Sequence, residues 1–460
     1  MQSIILAAGQ GTRMHSDYPK VLHPILGKPM VEYVLDHLSL AGINRHVVIV
    51  GHGAEQVKQV IGEREDVTFV LQEKQLGTGH AVMMAKDCLQ DVTDETLVIC
   101  GDTPLITPQT LSTLCEVHRQ AKAAVTILTA ELDNPYGYGR IVRNEQGEVV
   151  KIVEEKDATP EEKAIREINT GTYCFDNRLL FEALLEVTDD NEQKEYYLTD
   201  VIGLLKQKGY VVVAHKTADA EETLGINDRK ALAEATKVMQ RRINERWMNF
   251  GVTIVDPDTT YISPDTVIGK DTTIYPGTIL TGRNVIGSRC HVGPYAELHN
   301  AVLKDEVSVR HSVVFDSVIG KQTTVGPFAH LRNRVEVGEK VRIGNFVEIK
   351  NTKMGDCSKA SHLSYLGDSF IGKRVNIGCG AITVNYNGVQ KFETTIDDDA
   401  FIGCNVNLIA PVHIGRKSVV AAGSTITDDV PEESLAIARE RQTNKVGYYS
   451  DNNKENKKIQ

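Results

Sequence analysis

The chain has 460 residues, which is long enough for two or more domains with separate hydrophobic cores. Its 51 basic and 62 acidic residues give a formal net charge of −11, which argues against a nucleic-acid scaffold, so any anionic substrate must be held by a local group of basic residues. The eight cysteines form no CxxC pair and no zinc-finger spacing, which indicates reduced thiols, and no apolar run reaches the roughly 18 residues of a membrane span.

The first half of the chain alternates short aliphatic runs with helical stretches. It opens directly on the strand-like run from Ser3 to Ala8, with no signal peptide before it, which predicts a cytoplasmic protein. Aliphatic runs such as 47–50 and 97–100 then alternate with stretches such as 29–40, whose pattern predicts a helix. This alternation predicts an α/β domain over residues 1–227, with a mostly parallel sheet and crossover helices.

A glycine-containing segment follows the first predicted strand. It reads Leu6-Ala7-Ala8-Gly9-Gln10-Gly11-Thr12-Arg13-Met14, and Pro19-Lys20 comes soon after. Glycines in such a turn let backbone N–H groups approach phosphates, and Arg13 and Lys20 supply positive charge. The segment lacks the third glycine of a dinucleotide fingerprint and the Gly-Lys-Ser/Thr of a P-loop, so the glycines alone would also fit an ordinary tight turn.

The complete segment resembles the signature of sugar-1-phosphate nucleotidyltransferases, and later motifs extend the resemblance. These are Gln72 with a Gly77-Thr78 turn, Asp102 after an aliphatic run, and the segments 137–140, 153–156, 168–171 and 225–227. The resemblance implies a Rossmann-like nucleotidyltransferase domain. In such a domain an oxygen of a sugar 1-phosphate attacks the α-phosphorus of a nucleoside triphosphate, and pyrophosphate leaves without a covalent intermediate.

The same resemblance implies roles for individual residues. Asp102 and Asn227 would hold Mg²⁺, a hard cation that takes oxygen ligands and usually keeps several waters. Arg13 and Lys20 would be catalytic, because they stabilise negative charge on the phosphates. The nucleotide-sugar product would contact Leu6, Ala7, Ala8, Gly9, Lys20, Gln72, Gly77, Thr78, Gly139, Glu154, Asn169 and Asn227.

The second half of the chain has a different period. From 228 to 250, apolar residues recur every three or four positions in a charged background, which predicts an amphipathic linker helix. From Gly251 onward, aliphatic residues recur at steps of six, which predicts a parallel β-helix of hexapeptide repeats over residues 251–441. The residues in this step are Ile268, Ile274, Leu280, Ile286, Val292, Leu298, Ile319, Val325, Leu331, Val337, Ile343, Ile349, Ile402, Leu408, Ile414, Val420 and Ile426. The polar stretch 442–460 predicts a flexible tail.

The six-residue step lapses twice, between Ile349 and Ile371 and between Ile382 and Ile396. We expect both lapses to be loops that leave the coil. The first contains His362, which alone would more often be structural than catalytic. The polar and basic residues in or beside these two stretches favour a site, and they are Arg332, Lys350, Tyr365, Asn376, Asn385 and Tyr386.

These residues resemble the acetyltransferase half of the bifunctional N-acetylglucosamine-1-phosphate uridylyltransferase/glucosamine-1-phosphate N-acetyltransferase family, so the resemblance spans roughly residues 2–440. It implies a left-handed coil, a homotrimer, and His362 as the base that deprotonates the sugar amine attacking acetyl-CoA. As a hypothesis, Glu348 orients the imidazole. Glucosamine 1-phosphate would contact Arg332, Lys350, Tyr365 and Asn376, and acetyl-CoA would contact Cys379, Asn385, Tyr386, Cys404, Ala422 and Arg439.

Three positions depart from the family's usual residues. Cys379 stands where alanine is common, Cys404 where serine usually contacts the cofactor, and Ser361 where glycine often precedes the histidine. A thiol is a weaker hydrogen-bond partner than a hydroxyl and is more reactive. We therefore expect weaker binding of acetyl-CoA and inhibition by thiol reagents.

The resemblance as a whole implies a two-step enzyme that makes UDP-N-acetylglucosamine, a cell-wall precursor, with Mg²⁺ as cofactor and with acetyl-CoA and UTP as co-substrates. One alternative is a nucleotidyltransferase whose β-helix serves regulation or assembly, against which His362, Lys350 and Arg332 argue. The other is a non-catalytic regulatory subunit of the nucleotide-exchange type. Such proteins tend to lose the metal and phosphate ligands, whereas this sequence has kept them.

Overall fold

The computed structural model describes residues 1–89 and 94–448 of the chain. The chain divides into two compact units, the first from Met1 to Ile243 and the second beginning at Asn244. Within the described residues, no helix combines the length and the apolar character that crossing a lipid bilayer requires. Most of the predicted flexible tail, from residue 449 onward, lies outside the described residues.

The first unit alternates strands and helices, as its sequence predicts. Its strands are β1 Gln2–Ala7, β2 Pro24–Ile25, β3 Lys28–Pro29, β4 His46–Val50, β5 Val67–Leu71, β6 Glu95–Cys100, β7 Val125–Glu131, β8 Gly139–Arg143, β9 Val149–Val153, β10 Glu167–Asp176 and β11 Val212–Lys216. Its helices are α1 Met30–Leu40, α2 Ala54–Ile61, α3 Thr78–Met83, α4 Lys86–Leu89, α5 Pro108–Ala121, α6 Pro160–Lys163, α7 Asn177–Leu184 and α8 Asp200–Gln207, with short 3-10 helices at Thr12–Met14, Lys20–Leu22 and Ala220–Thr223.

The main sheet of this unit has the strand order β11-β7-β10-β6-β1-β4-β5. Strand β1 runs parallel to both of its neighbours, β4 and β6, whereas β10 runs antiparallel to β6 and β7. The antiparallel pair β8 and β9 is attached to β10. The prediction of an α/β domain is confirmed, and its sheet is mixed, since four of the six pairs along this strand order are parallel.

Helices cover both faces of this sheet. Adjacent residues of a strand point to opposite faces, and the fully buried pair Ile4 and Ile5 of β1 shows this alternation. Ile4 belongs to a core cluster with residues of α3, α7 and α8, and Ile5 to a second cluster with residues of α1, α2 and α5. Because both faces are covered, the carboxyl ends of the parallel strands are the open edge where a ligand can bind.

A long helix, α9, runs from Arg229 to Asn249, where the sequence predicts a helix over 228–250. Asp228 caps its first turn, since its Oδ1 accepts hydrogen bonds of 2.9 Å from the backbone N–H groups of Lys230 and Ala231. Gly251, with φ of +86°, follows its carboxyl end, where a left-handed residue commonly closes a helix. The boundary between the two units falls inside this helix.

The second unit is a coil of short strands. They are β12 Thr253–Ile254, β13 Tyr261–Ile262, β14 Val267–Ile268, β15 Thr273–Ile274, β16 Ile279–Thr281, β17 Val285–Ile286, β18 His291–Val292, β19 Glu297–His299, β20 Val302–Leu303, β21 Ser308–Val309, β22 Val313–Phe315, β23 Val318–Ile319, β24 Thr324–Val325, β25 His330–Arg332, β26 Glu336–Val337, β27 Arg342–Met354, β28 Lys359–Ile371, β29 Asn376–Ile377, β30 Ile382–Val384, β31 Thr394–Ile396, β32 Phe401–Ile402, β33 Asn407–Ile409, β34 Val412–Ile414, β35 Val419–Val420, β36 Thr425–Ile426 and β37 Leu435–Ala436. Up to β24, each strand pairs in parallel with the third strand after it, as β14 does with β17, so three strands make one turn of the coil.

The inward positions of the coil are those that the six-residue step predicts. Every aliphatic residue in that step is at most 5% exposed. Between Leu298 and Ile319, the inward positions are taken by Leu303, Val309 and Val314. These residues are also buried, although they stand at steps of five and six. The parallel hexapeptide coil is therefore confirmed, and its left hand stays a prediction from the resemblance.

The first lapse in the step is not a loop, so that prediction was wrong. Strand β27 pairs with β28 in parallel over almost its whole length, with Ile349 opposite Leu366 and Met354 opposite Ile371. All four side chains are buried. The coil therefore continues without interruption, and the inward positions shift because this turn is shorter than three full hexads.

The second lapse is a loop, as predicted. It leaves the coil after β30 and returns at β31, and the backbone N–H of Phe392 donates to the carbonyl oxygen of Asn385 at 2.9 Å. Tyr386 and Lys391 form an antiparallel bridge inside it. We call residues 385–392 the coil loop.

Two candidate active sites

A cavity of about 610 Å³ opens in the first unit at the carboxyl ends of β1 and β6. The turn after β1 and the residues after β6 both line it, because parallel neighbouring strands end at the same edge of a sheet. The predicted residues in its lining are Leu6, Ala7, Ala8, Gly9, Lys20, Gln72, Gly77, Thr78 and Asp102. Segments far apart in the sequence thus meet around one space.

Lys20 is held between two oxygen atoms at this cavity. Its Nζ forms an ion pair with the carboxylate of Asp102 and donates to Oδ1 of Asn227 at 2.7 Å. Gly11 makes this position possible, because a Cβ atom there would lie 2.6 Å from Cβ of Lys20. Its φ of +61° also favours glycine. The two predicted metal ligands are therefore within reach of a common cation.

The Lys20 ammonium serves as a stand-in for a metal ion in testing the predicted ligands. A carboxylate oxygen and an amide oxygen converge on it, and these are hard donors of the kind that Mg²⁺ takes from proteins. Among the described residues, no three His, Cys, Asp or Glu side chains form a cluster suited to a transition metal. The oxygen donors of Asp102 and Asn227 thus fit a hard cation such as Mg²⁺.

The turn before α3 forms a tightly packed wall of the cavity. Gln72 is 3% exposed, and its Nε2 donates to the carbonyl oxygen of Gly77 at 3.2 Å and to Nδ1 of His80 at 2.9 Å. Gly77 has φ of +108°, and a Cβ atom there would lie 2.6 Å from the carbonyl oxygen of Tyr196. The glycine is required by both conformation and space.

Gly139, Glu154 and Asn169 form a second group in the first unit. A Cβ atom at Gly139 would lie 3.4 Å from Cβ of Asn169 and 3.5 Å from Oε1 of Glu154. Glu154 accepts a hydrogen bond of 3.1 Å from Oγ1 of Thr199, and Nδ2 of Asn169 donates to the hydroxyl of Tyr173 at 2.7 Å. Burial raises the pKa of Glu154, because the charged carboxylate loses contact with water.

Five predicted residues stand apart from the cavity wall, namely Arg13, Gly139, Glu154, Asn169 and Asn227. Arg13 is exposed on the 3-10 helix Thr12–Met14, directly after the glycine turn. Within the described part of the chain, the lining of the cavity does not include Arg13 or the group around Gly139. The structure therefore brings most of the predicted nucleotide residues together but leaves Arg13 at the surface.

In the second unit, four predicted residues form one column along the coil. His362, Cys379, Cys404 and Ala422 occupy equivalent positions of successive turns, because the strands on either side of each residue keep constant register. All four are exposed. At the end of the column, Cδ of Arg439 lies 3.8 Å from the place of a Cβ atom on Gly423, the residue after Ala422. We call the set of His362, Cys379, Cys404 and Ala422 the thiol column.

Asn345, not Glu348, is the hydrogen-bond partner of His362. Nδ1 of His362 lies 2.8 Å from Oδ1 of Asn345, which stands opposite it on the preceding turn. Glu348 stands opposite Tyr365 instead, and its Oε1 accepts hydrogen bonds of 3.0 and 2.6 Å from Arg332. The hypothesis that Glu348 orients the imidazole was wrong, because the register places it on another column.

Arg332 and Lys350 stand opposite each other on adjacent turns, in a third column that continues to Gly367. Lys350 is 8% exposed, and its Nζ lies 3.5 Å from Oδ2 of Asp368. Asp368 also accepts a hydrogen bond from Nδ2 of Asn385. A Cβ atom at Gly367 would lie 2.5 Å from the hydroxyl of Tyr365 and 2.8 Å from Nδ2 of Asn385. Basic, phenolic and amide side chains thus meet around Gly367.

Two predicted residues lie outside this group. Asn376 pairs with Lys359 on a different face of the coil, and Tyr386 is 55% exposed on the coil loop. The hydroxyl of Tyr386 donates to the carbonyl oxygen of Gly388 at 2.7 Å, within that loop.

Three site residues were missed by reasoning from the sequence. Asn345 could have been found by stepping back one turn of the coil from His362, and Asp368 stands directly after Gly367. Lys391 gave no signal in the sequence. It lies on the coil loop beside Lys350, whose adjacent positive charge lowers the pKa of Lys391. It is therefore a third basic residue near Arg332 and Lys350.

Comparisons with known proteins agree with this division into two sites. The nucleotidyl transferase family matches residues 2–252, and the bacterial transferase hexapeptide family (six repeats) matches residues 316–351 and 393–428. The UDP-glucose pyrophosphorylase structure in complex with UDP-glucose covers 52% of this chain and 98% of its own, at 18% identity and a TM-score of 0.44. That likeness is too low to carry an argument.

Full-length relatives are much more similar. The bifunctional protein GlmU of an Exiguobacterium species is 59% identical over 446 residues, which is 97% of this chain and 98% of that protein. The bifunctional protein GlmU of Halalkalibacterium halodurans is 56% identical over 98% of this chain and 99% of that protein. Both halves of the chain and the helix between them are therefore included in the match, and the chain belongs to the family of the bifunctional protein GlmU.

Proposed function

We propose that this chain makes UDP-N-acetylglucosamine in two steps at two separate sites. The second unit transfers an acetyl group from acetyl-CoA to the amine of glucosamine 1-phosphate. The first unit then joins the product to the uridylyl group of UTP and releases pyrophosphate. Membership of a bifunctional family over 97% of the chain supports both activities. The nucleotide sugar serves as a cell-wall precursor in the cytoplasm.

The hydrogen bond between His362 and Asn345 is the observation that carries this proposal. An amide oxygen only accepts hydrogen bonds, so Nδ1 of His362 carries the proton and Nε2 is the basic nitrogen. A neutral imidazole with a fixed tautomer is suited to general base catalysis near neutral pH. A coil that served only for assembly has no use for such a group, which favours acetyl transfer over the single-activity alternative.

Acetyl transfer forms one bond and breaks another at the thioester carbon. The amine of glucosamine 1-phosphate attacks this carbon, Nε2 of His362 accepts the amine proton, and coenzyme A leaves as a thiol. Arg332, Lys350 and Lys391 supply the positive charge that binds the sugar phosphate. Tyr365 and Asn376 complete the sugar site. Acetyl-CoA lies along the thiol column, with Arg439 at one end and Asn385 and Tyr386 on the coil loop.

Uridylyl transfer in the first unit depends on position and charge. An oxygen of N-acetylglucosamine 1-phosphate attacks the α-phosphorus of UTP, and the bond to pyrophosphate breaks. The glycine turn offers backbone N–H groups to the phosphates, Gln72 and the Gly77-Thr78 turn hold the base, and the group around Gly139 holds the sugar. Lys20 and Arg13 stabilise the charge on the phosphates.

Asp102 and Asn227 would hold the Mg²⁺ ion of this site. The bound ion supplies neutralisation of phosphate charge, which lowers the barrier to attack by another anion. Lys20 lies on the same two oxygen atoms, so its ammonium and a bound ion would compete for them. The glycine turn, which offers backbone N–H groups to the phosphates, lies within reach of its side chain.

The assembly proposed is a homotrimer with the family's left-handed coils side by side. An exposed and largely apolar ridge supports it: Tyr295, Phe328, Phe346 and Leu363 are 56 to 66% exposed at one corner of the coil, with His311 between Tyr295 and Phe328. The rings of Phe328 and Phe346 stack at 5.5 Å between centroids. An exposed apolar surface of this length favours burial against another chain, and a ring of three is a closed symmetry.

The proposed domains are a nucleotidyltransferase at residues 1–227, a linker helix at 228–250 and an acetyltransferase at 251–441. The test supplies glucosamine 1-phosphate, acetyl-CoA, UTP and Mg²⁺, and follows released thiol and pyrophosphate separately. We expect both products. Pyrophosphate from supplied N-acetylglucosamine 1-phosphate, without thiol release from glucosamine 1-phosphate, would favour the single-activity alternative and refute the proposal.

The variant His362→Ala separates the two sites. It should lose thiol release and keep the formation of pyrophosphate from supplied N-acetylglucosamine 1-phosphate. The matched control is His413→Ala, since His413 is also exposed on the coil and Nε2 of its ring lies 2.9 Å from Oδ2 of Asp397. The control should keep both activities. Loss of both activities in His362→Ala would contradict two independent sites.

A further inference from the structure

Cys379 and Cys404 are placed side by side by the register of the coil. The segments Ile377-Gly378-Cys379 and Ile402-Gly403-Cys404 lie in the same frame, with Ile377 opposite Ile402 and, beyond the cysteines, Ile382 opposite Asn407. The backbone N–H of Asn405 donates to the carbonyl oxygen of Cys379 at 2.7 Å. The two cysteines therefore stand directly opposite each other on adjacent turns.

The spacing of adjacent turns suits ligation of one atom by both sulfurs. Neighbouring strands lie about 4.8 Å apart, which falls within the roughly 4.4–6.8 Å between the Cα atoms of bridged cysteines. Both thiols are free and exposed. A Cβ atom at Gly378 would lie 2.7 Å from the backbone nitrogen of Cys404, so nothing separates the two turns at this point.

Four other free cysteines lack this arrangement. Cys115 and Cys174 are also adjacent, but both are buried in the core of the first unit. Cys100 lines the nucleotide cavity, where burial raises its pKa to about 12 and keeps it a thiol. Cys357 is exposed on the coil. It stands on the turn that follows β27, away from the thiol column, and provides a control.

We propose that Cys379 and Cys404 form a two-thiol site for a single thiophilic centre of the trivalent arsenical class, and that filling this site stops acetyl transfer alone. The consequence rests on the proposed function, in which acetyl-CoA lies along the thiol column. His362 precedes the pair by one turn and Ala422 follows it by one turn. A group bound across both sulfurs lies between the base and the far end of that column.

The reaction needs no oxidant. An arsenic(III) oxide such as phenylarsine oxide forms two As–S bonds, the two S–H bonds break, and the oxygen leaves with both protons as water. Arsenic keeps its oxidation state. A product held by two sulfurs is a chelate, so a small dithiol can remove the arsenic, whereas a monothiol at similar concentration cannot compete with the second bond.

The experiment treats the reduced full-length chain with one equivalent of phenylarsine oxide. The expected result has four parts: the intact mass rises by the mass of one phenylarsine oxide less one water, two thiols cease to react with a chromogenic disulfide, acetyl transfer stops, and uridylyl transfer continues. Excess 2,3-dimercaptopropanol should restore the thiols and the activity. Excess 2-mercaptoethanol should restore neither.

Variants locate the site. Cys379→Ala and Cys404→Ser should each abolish the modification that only a dithiol reverses, whereas Cys357→Ser should behave as the parent chain. Persistence of that modification in Cys404→Ser would overturn the site. Uptake of arsenic with acetyl transfer intact would overturn its effect. An untreated chain without acetyl transfer would refute the proposed function instead, while the mass and thiol counts would still decide whether the site exists.

Discussion

The two units assemble their candidate sites in different ways. The first brings Lys20 to Asn227 across 207 residues of sequence, through turns at the edge of an open sheet. The second places His362 beside Asn345 by one turn of the coil. In the first unit the contacts depend on the order of strands in the sheet, whereas in the second they depend on a repeated register.

The two sites should differ in how far the effect of a substitution spreads. A contact in the sheet edge involves several loops, so it can be lost by a change in any of them. A contact along the coil involves two adjacent turns, and distant turns contribute only through the register that they maintain. Substitutions in the first site should therefore affect several ligands together, and substitutions in the second should remain local.

The largest effect is expected for Lys20→Met. Loss of the ammonium should lower the rate of uridylyl transfer about 10²- to 10³-fold, because one charge contact to the phosphates is removed. Binding of Mn²⁺ to the free protein, followed by electron paramagnetic resonance, should tighten, because Lys20 no longer competes for Asp102 and Asn227. The control Lys58→Met removes a partly exposed lysine of α2 that lies away from the cavity lining. Weaker Mn²⁺ binding in Lys20→Met would show that Lys20 does not share the metal ligands.

A smaller and more local effect is expected for Asn345→Ala. Without the acceptor at Nδ1, the His362 ring is no longer held in one tautomer, and kcat for acetyl transfer should fall about ten- to a hundredfold. Uridylyl transfer should be unchanged. Asn345→Asp keeps an acceptor and adds negative charge, so it should restore much of the rate and move the pH–rate profile to higher pH. An unshifted profile in Asn345→Asp would argue that the contact is only structural.

Exchange of the coil loop tests whether the coil is independent of its insertion. The backbone N–H of Phe392 donates to the carbonyl oxygen of Asn385. The same hydrogen bond closes a four-residue β-turn when only two residues stand between donor and acceptor, so two residues can replace the six of the loop. Replacing Tyr386–Lys391 by Asn-Gly should leave the melting temperature of the second unit within about 2 °C. The KM for acetyl-CoA should rise about tenfold, or about 1.4 kcal/mol. A collapse of the melting temperature would mean that the loop is part of the coil.

The smallest effect concerns pH and the first unit. His46 is fully buried in β4 and its Nδ1 lies 2.8 Å from Oγ of Ser3, and burial lowers its pKa to about 4. The unfolded chain takes up a proton near pH 6.5, so the stability due to neutral His46 is complete above that pH. It is lost as pH falls from about 6.5 toward 4, and amounts to about 1 kcal/mol between pH 7 and about 5.5.

Urea unfolding followed by the helical circular dichroism signal measures this loss, since helices α1 to α8 all lie in the first unit of the described chain. The variant His46→Gln should reduce the dependence of the unfolding free energy on pH by about this amount. His52→Gln removes an exposed histidine of the same unit and should leave the dependence unchanged. An equal dependence in both variants would exclude His46 as its source.

Much of the fold followed from local patterns. The aliphatic runs predicted β1, β4 and β6, the three- to four-residue period predicted α9, and the six-residue step predicted the buried positions of the coil. The exception was the stretch from Ile349 to Ile371. The turn there is shorter than three full hexads, so its side chains still point inward but no longer stand six residues apart. The continuous pair of β27 and β28 was therefore predicted to be a loop.

The sequence by itself determined the elements, the six-residue period of the coil and the three- to four-residue period of helix α9. Burial of every sixth side chain in a coil, or of every third to fourth side chain in a helix, is a local requirement. Only the tertiary structure decided which polar side chains meet. Lys20 joins Asp102 and Asn227 because three separate segments end at one sheet edge. His362 meets Asn345 and not Glu348, and Cys379 meets Cys404, because the register of adjacent turns selects one partner for each position.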